Sequence, residues 1–233
     1  MQNLPRLAMN NNVLLSDKSA IWYIELTPIR LSDIEQNEAN ARSMRLSGVE
    51  RGIELRLIYS EQDIAATVKR LAADISRDYS GKDLLLVVVL KGAFIFAADL
   101  VRMLTVPARI DFVKIKSYVS RESSGTVRIT RDIESEATGK DLLIVEDIID
   151  TGLSLEFLVR HLSGKGPRTI KVCSLVDKRI RRKIDIEADY AGVVCDGGFL
   201  IGYGLDLDER CREFGAIYEV VEQPSGGMHD NTM

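Results

Sequence analysis

Residues 142–154 read Leu142-Leu143-Ile144-Val145-Glu146-Asp147-Ile148-Ile149-Asp150-Thr151-Gly152-Leu153-Ser154: an apolar run passes into three carboxylates and then into a small, hydroxylated turn. Residues 142–145 are apolar without alternation, the pattern of a parallel strand buried on both faces. After the turn, Leu155, Leu158, Val159 and Leu162 fall at i, i+3, i+4 and i+7, which predicts a helix with one apolar stripe. The intervening loop therefore lies at the carboxyl end of a central strand, where open α/β sheets bind ligands.

The two halves of this loop favour opposite charges. Unsatisfied N–H groups from Thr151 to Ser154, the helix dipole and the hydroxyls of Thr151 and Ser154 favour an anion, and Gly152 lets backbone approach it closely. Glu146, Asp147 and Asp150 repel one. A ligand that suits both carries phosphate at one end and hydroxyls or positive charge at the other, as a ribose 5-phosphate does. Strand, acidic loop, glycine and helix also occur together without a ligand, with the aspartate as a helix N-cap, so this short motif leaves both readings open.

The chain around it is that of an ordinary globular protein. Its 233 residues suit one substantial α/β domain with additions, or at most two small ones, and 45% are hydrophobic and 28% charged. A net charge of −4 argues against a general nucleic-acid or membrane-surface binder. Cys173, Cys195 and Cys211 are odd in number and lack metal-ligand spacing, which points to a reducing, cytoplasmic setting. The most apolar stretch, residues 84–101, is interrupted by Lys91 and Asp99, so no membrane span is expected, and no secretion signal opens the chain.

Residues 1–52 show little sustained periodicity and are expected to be a partly ordered extension, with a short strand at most over residues 20–26. Met44 stands just upstream of the globular pattern and is a candidate native start, which mass spectrometry of the naturally expressed protein decides. From residue 53 the α/β order begins. Ile53, Leu55 and Leu57 alternate with Glu54 and Arg56 as in a half-exposed edge strand, and Ser60 with Asp63 resembles a capping box. Ile64, Val68, Leu71, Ala72 and Ile75 then supply a helical stripe. A buried strand is expected over residues 84–90, a helix over about 93–104, paired strands over 109–118 and 126–130 joined by a polar loop, and a central strand over 169–176. Short strands near 190–194, 199–203 and 217–221 follow, and residues 223–233 are expected to fray.

With these segments in place, the run from Val145 to Gly152 resembles the phosphoribosyl-pyrophosphate (PRPP) motif of type I phosphoribosyltransferases. Leu90-Lys91-Gly92, Lys116-Ser117-Tyr118, Asp177-Lys178-Arg179, residues 199–206 (Phe-Leu-Ile-Gly-Tyr-Gly-Leu-Asp) and Arg212 occur in the order and approximate spacing of the hypoxanthine(-guanine) phosphoribosyltransferases. The similarity spans about residues 53–222. It implies a central, mainly parallel twisted sheet flanked by helices, with a small hood of short C-terminal strands.

That family transfers 5-phosphoribosyl from PRPP to N9 of a 6-oxopurine, and the resemblance distributes the roles. Glu146, Asp147, Asp150, Thr151, Gly152, Leu153 and Ser154 bind the ribose and its phosphate, and Asp150 accepts the proton of purine N7. Lys91 and Gly92, through backbone joined to Leu90 by a cis peptide, and Arg212 bind pyrophosphate. Lys178, Phe199, Leu200 and Asp206 recognise the purine, and Ser117 and Tyr118 belong to a lid. Mg²⁺ is implied, with Asp206 as direct ligand and Glu146 and Asp147 as further ligands, directly or through water. No nucleic acid or membrane partner is implied, and a homo-oligomer, dimer or tetramer, is expected.

Each of these residues also has a plainer reading. Lys91 and Arg212 taken alone suit solvated surface charges, Phe199 core packing, and residues 117–125 an ordinary hairpin loop. The sequence also departs from the family pattern: Gly197 and Gly198 before Phe199 are expected to loosen that approach, Leu207 and Cys211 stand where aromatics are frequent, and Leu153 where lysine sometimes is. A PRPP-sensing regulator without catalysis is the alternative, but residues 1–50 carry five Lys or Arg against six Asp or Glu and form no basic module. A receiver-like phosphoacceptor domain would gather acids at strand ends but leave Lys178, Phe199 and Arg212 unexplained.

Overall fold

The computed structural model describes residues 53–120 and 123–222, so the expectations for residues 1–52 and 223–233 lie outside the described residues. Two sheets organise the rest. The larger has strand order β4-β3-β2-β5-β6-β7, from β2 (Leu84–Leu90), β3 (Ala108–Ser120), β4 (Ser123–Arg131), β5 (Asp141–Ile149), β6 (Thr169–Lys178) and β7 (Tyr190–Cys195). All its pairs are parallel except the β3 and β4 pair at one edge. Chain order runs outward from β2 in one direction and from β5 in the other, so the switch point where ligands bind lies between β2 and β5.

The unbroken apolar runs of β2 and β5 have their cause in this topology. Leu84, Leu86 and Val88 face one core with Leu143 and Val145, whereas Leu85, Val87 and Val89 face the other with Leu142 and Ile144. Both faces being covered, neither strand needs a polar side. The first core is closed by α1 (Glu61–Asp78) and α2 (Phe94–Met103), the second by α3 (Leu153–Ser163). Helix α1 starts with the expected capping box of Ser60 and Asp63 and buries Ile64, Val68, Leu71, Ala72 and Ile75.

The first alternating strand, β1 (Ile53–Tyr59), is a half-exposed edge strand as expected, and the sheet it edges is a second, three-stranded one. Strand β1 pairs with β9 (Ile217–Glu222), which pairs with β8 (Phe199–Ile201), so the hood joins N-terminal and C-terminal strands around a small core of Ile201, Cys211 and Phe214. The short strand at residues 190–195 belongs to the main sheet instead. Strands β3 and β4 continue well into the supposed polar loop, pairing Tyr118 with Thr126 and Ser120 with Ser123, which leaves residues 121 and 122 and the side chains of 117–126 outside the description.

Candidate active site

Strand β5 runs further than its apolar run suggested, ending at Ile149, so Glu146 and Asp147 stand on the strand and not in a loop. This fixes their backbone rigidly at the switch point, and both carboxylates are pressed inward. Burial pushes the Glu146 carboxyl well above its usual range, and the neighbouring Asp147 charge adds to the effect. Burial likewise raises Asp147, to about 6, against the lowering influence of backbone N–H donors and Arg212. Two acids held together in this way share the cost of ionising, so the pair favours a partner that brings positive charge or hydroxyl donors.

Asp150 follows the strand, and Gly152 takes the position preceding α3 with φ +83° and no side-chain cap, which excludes Asp150 as the helix N-cap. The first turn of α3 thus begins with N–H groups that no capping side chain claims, beside the hydroxyl-bearing Thr151 and Ser154. Leu153 is partly exposed there. One Asp150 oxygen lies 3.3 Å from the Arg181 guanidinium. The other, Oδ1, is buried without a hydrogen-bond partner among the described residues, as are Glu146 Oε2 and Arg212 Nε. Unpaired polar atoms in one site are expected where a polar ligand supplies the partners.

Strand β2 delivers Lys91 and Gly92 to the same switch point, and the Leu90–Lys91 peptide is cis. Gly92 sits so tightly on Asp147 that a Cβ would fall 1.6 Å from Asp147 Oδ2, and a Cβ on Gly204 would fall 2.0 Å from the Gly92 carbonyl oxygen. The backbones of Gly92 and Gly204 and the Asp147 carboxylate therefore meet at a point where no further side chain fits. Arg212 donates to the Gly204 carbonyl at 2.7 Å and pairs with Asp206 at 2.9 Å and Glu209 at 3.0 Å. Lys91 reaches Glu209 at 2.8 Å, and these two cations hold the Glu209 carboxyl down to about 2. Tyr203, Asp208, Glu209 and Cys211 all have positive φ, so the loop carrying Arg212 is conformationally costly and tightly determined.

Lys178, at the end of β6, is buried and donates to the Gly198 carbonyl at 2.6 Å, leaving two ammonium donors. Phe199 is 53% exposed, which removes the core-packing reading, while its strand neighbour Leu200 is buried in the main core. Gly198 is not loose: it has φ +76°, and a Cβ there would lie 2.1 Å from Glu219 Oε1, a carboxylate held by Arg56. Glu209, Arg181 and Arg182 are the site residues the sequence reading missed. Four basic residues among 179–183 were a visible signal, but nothing in their spacing told which side chain turns inward.

No group of three or more His, Cys, Asp or Glu among the described residues is arranged to hold a metal.

The buried acids also predict a pH effect. An unfolded aspartate titrates near 3.9, and Asp147 keeps its proton in the folded chain up to about 6. The folded state thus binds more protons between these values, and this group's contribution to stability falls as pH rises through the window. Asp147→Asn removes the buried charge, so it raises stability at pH 8 by roughly 1–3 kcal/mol while impairing the site. Thermal melts at pH 5 and pH 8 check this; no gain at pH 8 refutes the burial argument.

Comparison with known proteins agrees with this geometry. A family model described as a phosphoribosyl transferase domain matches residues 56–208. A hypoxanthine-guanine phosphoribosyltransferase of Aquifex aeolicus is 42% identical over 172 residues, covering 73% of this chain and 97% of that protein. A hypoxanthine phosphoribosyltransferase of Haemophilus influenzae is 37% identical, covering 71% and 94%. A crystal structure of a hypoxanthine-guanine phosphoribosyltransferase from Bacillus anthracis, at 41% identity, superposes with a TM-score of 0.68 over 72% of this chain and 99% of that one.

Proposed function

The chain belongs to the phosphoribosyl transferase family, and from that premise we propose that it is a purine salvage enzyme, moving 5-phosphoribosyl from PRPP to N9 of a 6-oxopurine and releasing pyrophosphate. Hypoxanthine and guanine are the acceptors, giving IMP and GMP. One observation carries the reading: an uncapped helix start, a half-buried carboxylate pair and a Lys91–Arg212 cation pair surround a single switch point.

The residues divide the work by charge. As the bond from ribose C1 to pyrophosphate lengthens, positive charge grows on the sugar and negative charge on the leaving group. Glu146 and Asp147 accept hydrogen bonds from the ribose hydroxyls and stabilise the sugar, the kind of preorganised electrostatics that is usually the largest catalytic contribution. Thr151 to Ser154 hold the 5-phosphate, and Gly92 backbone with Arg212 receives the pyrophosphate. Asp150 accepts the N7 proton as N9 bonds to C1. Lys178 donates to the exocyclic oxygen at C6, Phe199 stacks on the ring, and Leu200 and Asp206 line the other edge. Ser117 and Tyr118 belong to a lid that excludes water.

Mg²⁺ fits this donor set. Asp206, with Glu146 and Asp147 directly or through water, would hold it, and when bound it neutralises charge on the pyrophosphate. The free thiols of Cys173, Cys195 and Cys211 support a reducing, cytoplasmic location. Among the described residues no helix is long and apolar enough to cross a membrane. The exposed apolar side chains of Phe94, Ile110 and Phe112 support assembly with further copies of the chain.

The test is direct: protein, Mg²⁺ and PRPP are mixed with hypoxanthine, guanine, xanthine or adenine, and nucleotide formation is followed. Hypoxanthine and guanine turn over. Adenine is slower by roughly 10⁴-fold, because its amino group leaves the Lys178 donors unpaired. Comparable turnover of adenine removes Lys178 from base selection. Tight PRPP binding without any product converts the reading to a PRPP sensor.

A further inference from the structure

The ladder between β5 and β6 ends at Ile149 and Asp177. Beyond that pair the strands serve opposite ends of the site: β5 leads into Asp150 and the phosphate turn, and β6 closes with Lys178. Where two parallel strands stop pairing, their last carbonyls lose their acceptor role in the ladder, and each one left buried and unpaired costs about 1–3 kcal/mol. One side chain takes over here. Arg182 Nε donates to the Asp150 carbonyl at 3.1 Å and Nη2 to the Ile149 carbonyl at 3.3 Å, while the same guanidinium also binds the Ile186 carbonyl and the Asp177 carboxylate. Its side chain is only 15% exposed.

The neighbouring backbone continues the brace. Lys183 N–H donates to the Thr151 carbonyl at 2.9 Å. A Cβ on Gly152 would come within 2.8 Å of Ile186 Cγ2 and 3.2 Å of Arg182 Cδ. The phosphate turn thus leans directly on residues 182–186, and Asp177, which is 1% exposed, is the residue immediately before Lys178.

We propose that Arg182 is a positioning residue for phosphoribosyl transfer, its guanidinium fixing the backbone of the proton acceptor Asp150 relative to the strand end that presents Lys178. The proposal rests on the salvage-enzyme reading above and adds a residue to it. Sugar phosphate and purine are gripped at separate ends, so each binds with its own contacts even if the spacing between the ends drifts. The bond between C1 and N9 forms only when that spacing is right, and a displacement near 1 Å costs about 10²-fold in rate. Loss of Arg182 therefore acts on the chemical step more than on either binding step. Lysine is a poor replacement, because a single ammonium cannot reproduce a planar fork facing three carbonyls and a carboxylate.

The experiment compares the parent protein with Arg182→Lys and Arg182→Ala, measuring kcat, KM for PRPP and for hypoxanthine, and the thermal melt. Both variants are expected to lose about 10²-fold in kcat with each KM within about fivefold. Millimolar guanidinium ion restores part of the activity of Arg182→Ala, a response that loss of folded protein does not give. The proposal is overturned if Arg182→Lys keeps kcat within threefold of the parent, or if the alanine variant loses activity only in proportion to its unfolded fraction and guanidinium restores none. An inactive parent overturns the functional reading itself, and is seen before any variant is compared.

Discussion

Asp150→Asn lowers turnover by about 10²–10⁴-fold while PRPP binding stays within a few-fold of the parent. The amide keeps the volume of the carboxylate, so the turn from Thr151 into α3 is undisturbed, but it cannot take a proton from N7. The surroundings of this residue make the outcome informative. Its backbone carbonyl is held by Arg182, one side-chain oxygen faces Arg181, and the other is buried without a partner among the described residues. The group is therefore anchored on one side, and on the other it carries an acceptor oxygen whose hydrogen-bonding capacity no described residue uses. Single-turnover kinetics with hypoxanthine separate the chemical step from product release, and titration calorimetry with PRPP measures binding. Turnover at the parent rate by the asparagine variant removes Asp150 from proton transfer and leaves it an electrostatic role beside the ribose.

Gly92→Ala is expected to lower kcat/KM for PRPP by at least about 10²-fold and to cost about 1–3 kcal/mol of stability. The cause is steric. The added methyl would lie 1.6 Å from Asp147 Oδ2 and 2.4 Å from its Cγ, and the Gly92 carbonyl on the other side is already crowded by Gly204. The methyl can be accommodated only if the Asp147 carboxylate is displaced, so the collision passes from the pyrophosphate end of the site to the ribose end. Steady-state kinetics with varied PRPP and a thermal melt check both parts. An alanine variant within threefold of the parent shows that the loop can yield, and that the close contact is not what demands glycine here.

The two experiments probe opposite kinds of evidence. Asp150 was identifiable by its chemical type in a short motif, and the structure adds only what surrounds it. Gly92 was identifiable through resemblance alone, since its φ is not positive and no local turn requires glycine at that position. Its cause is a contact with a residue 55 positions further along the chain, which no local pattern encodes. Glu209 is similar: between Leu207 and Arg210 it looks like a surface acid, yet it joins Lys91 to Arg212.

The strand pattern shows the same boundary. Continuous apolar runs at residues 84–90 and 142–145 revealed strands covered on both faces, because burial on both faces forbids polar residues wherever the strand lies. The end of β5 was placed too early for the same reason: Glu146 and Asp147 break the apolar run, although the ladder to β6 continues to Ile149. Function puts charge on a strand that packing alone would keep apolar. The partner of β1 was beyond local reading as well, since alternation specifies that a strand has two unlike faces and does not specify β9, more than 150 residues away, as its neighbour.

By itself, then, the sequence determined the α/β order, the capped first helix, the two-faced burial of the central strands and the chemical types gathered in the phosphate turn. These depend on side-chain periodicity and on groups adjacent along the chain. The tertiary structure alone decided that Gly92 lies between Gly204 and the Asp147 carboxylate, that Glu209 bridges two cations, that the hood borrows an N-terminal strand and that Arg182 of all the basic residues in its run turns inward. Each of these depends on which distant backbones come within a few ångströms, and short-range sterics acting between remote segments leave no periodic trace in the chain.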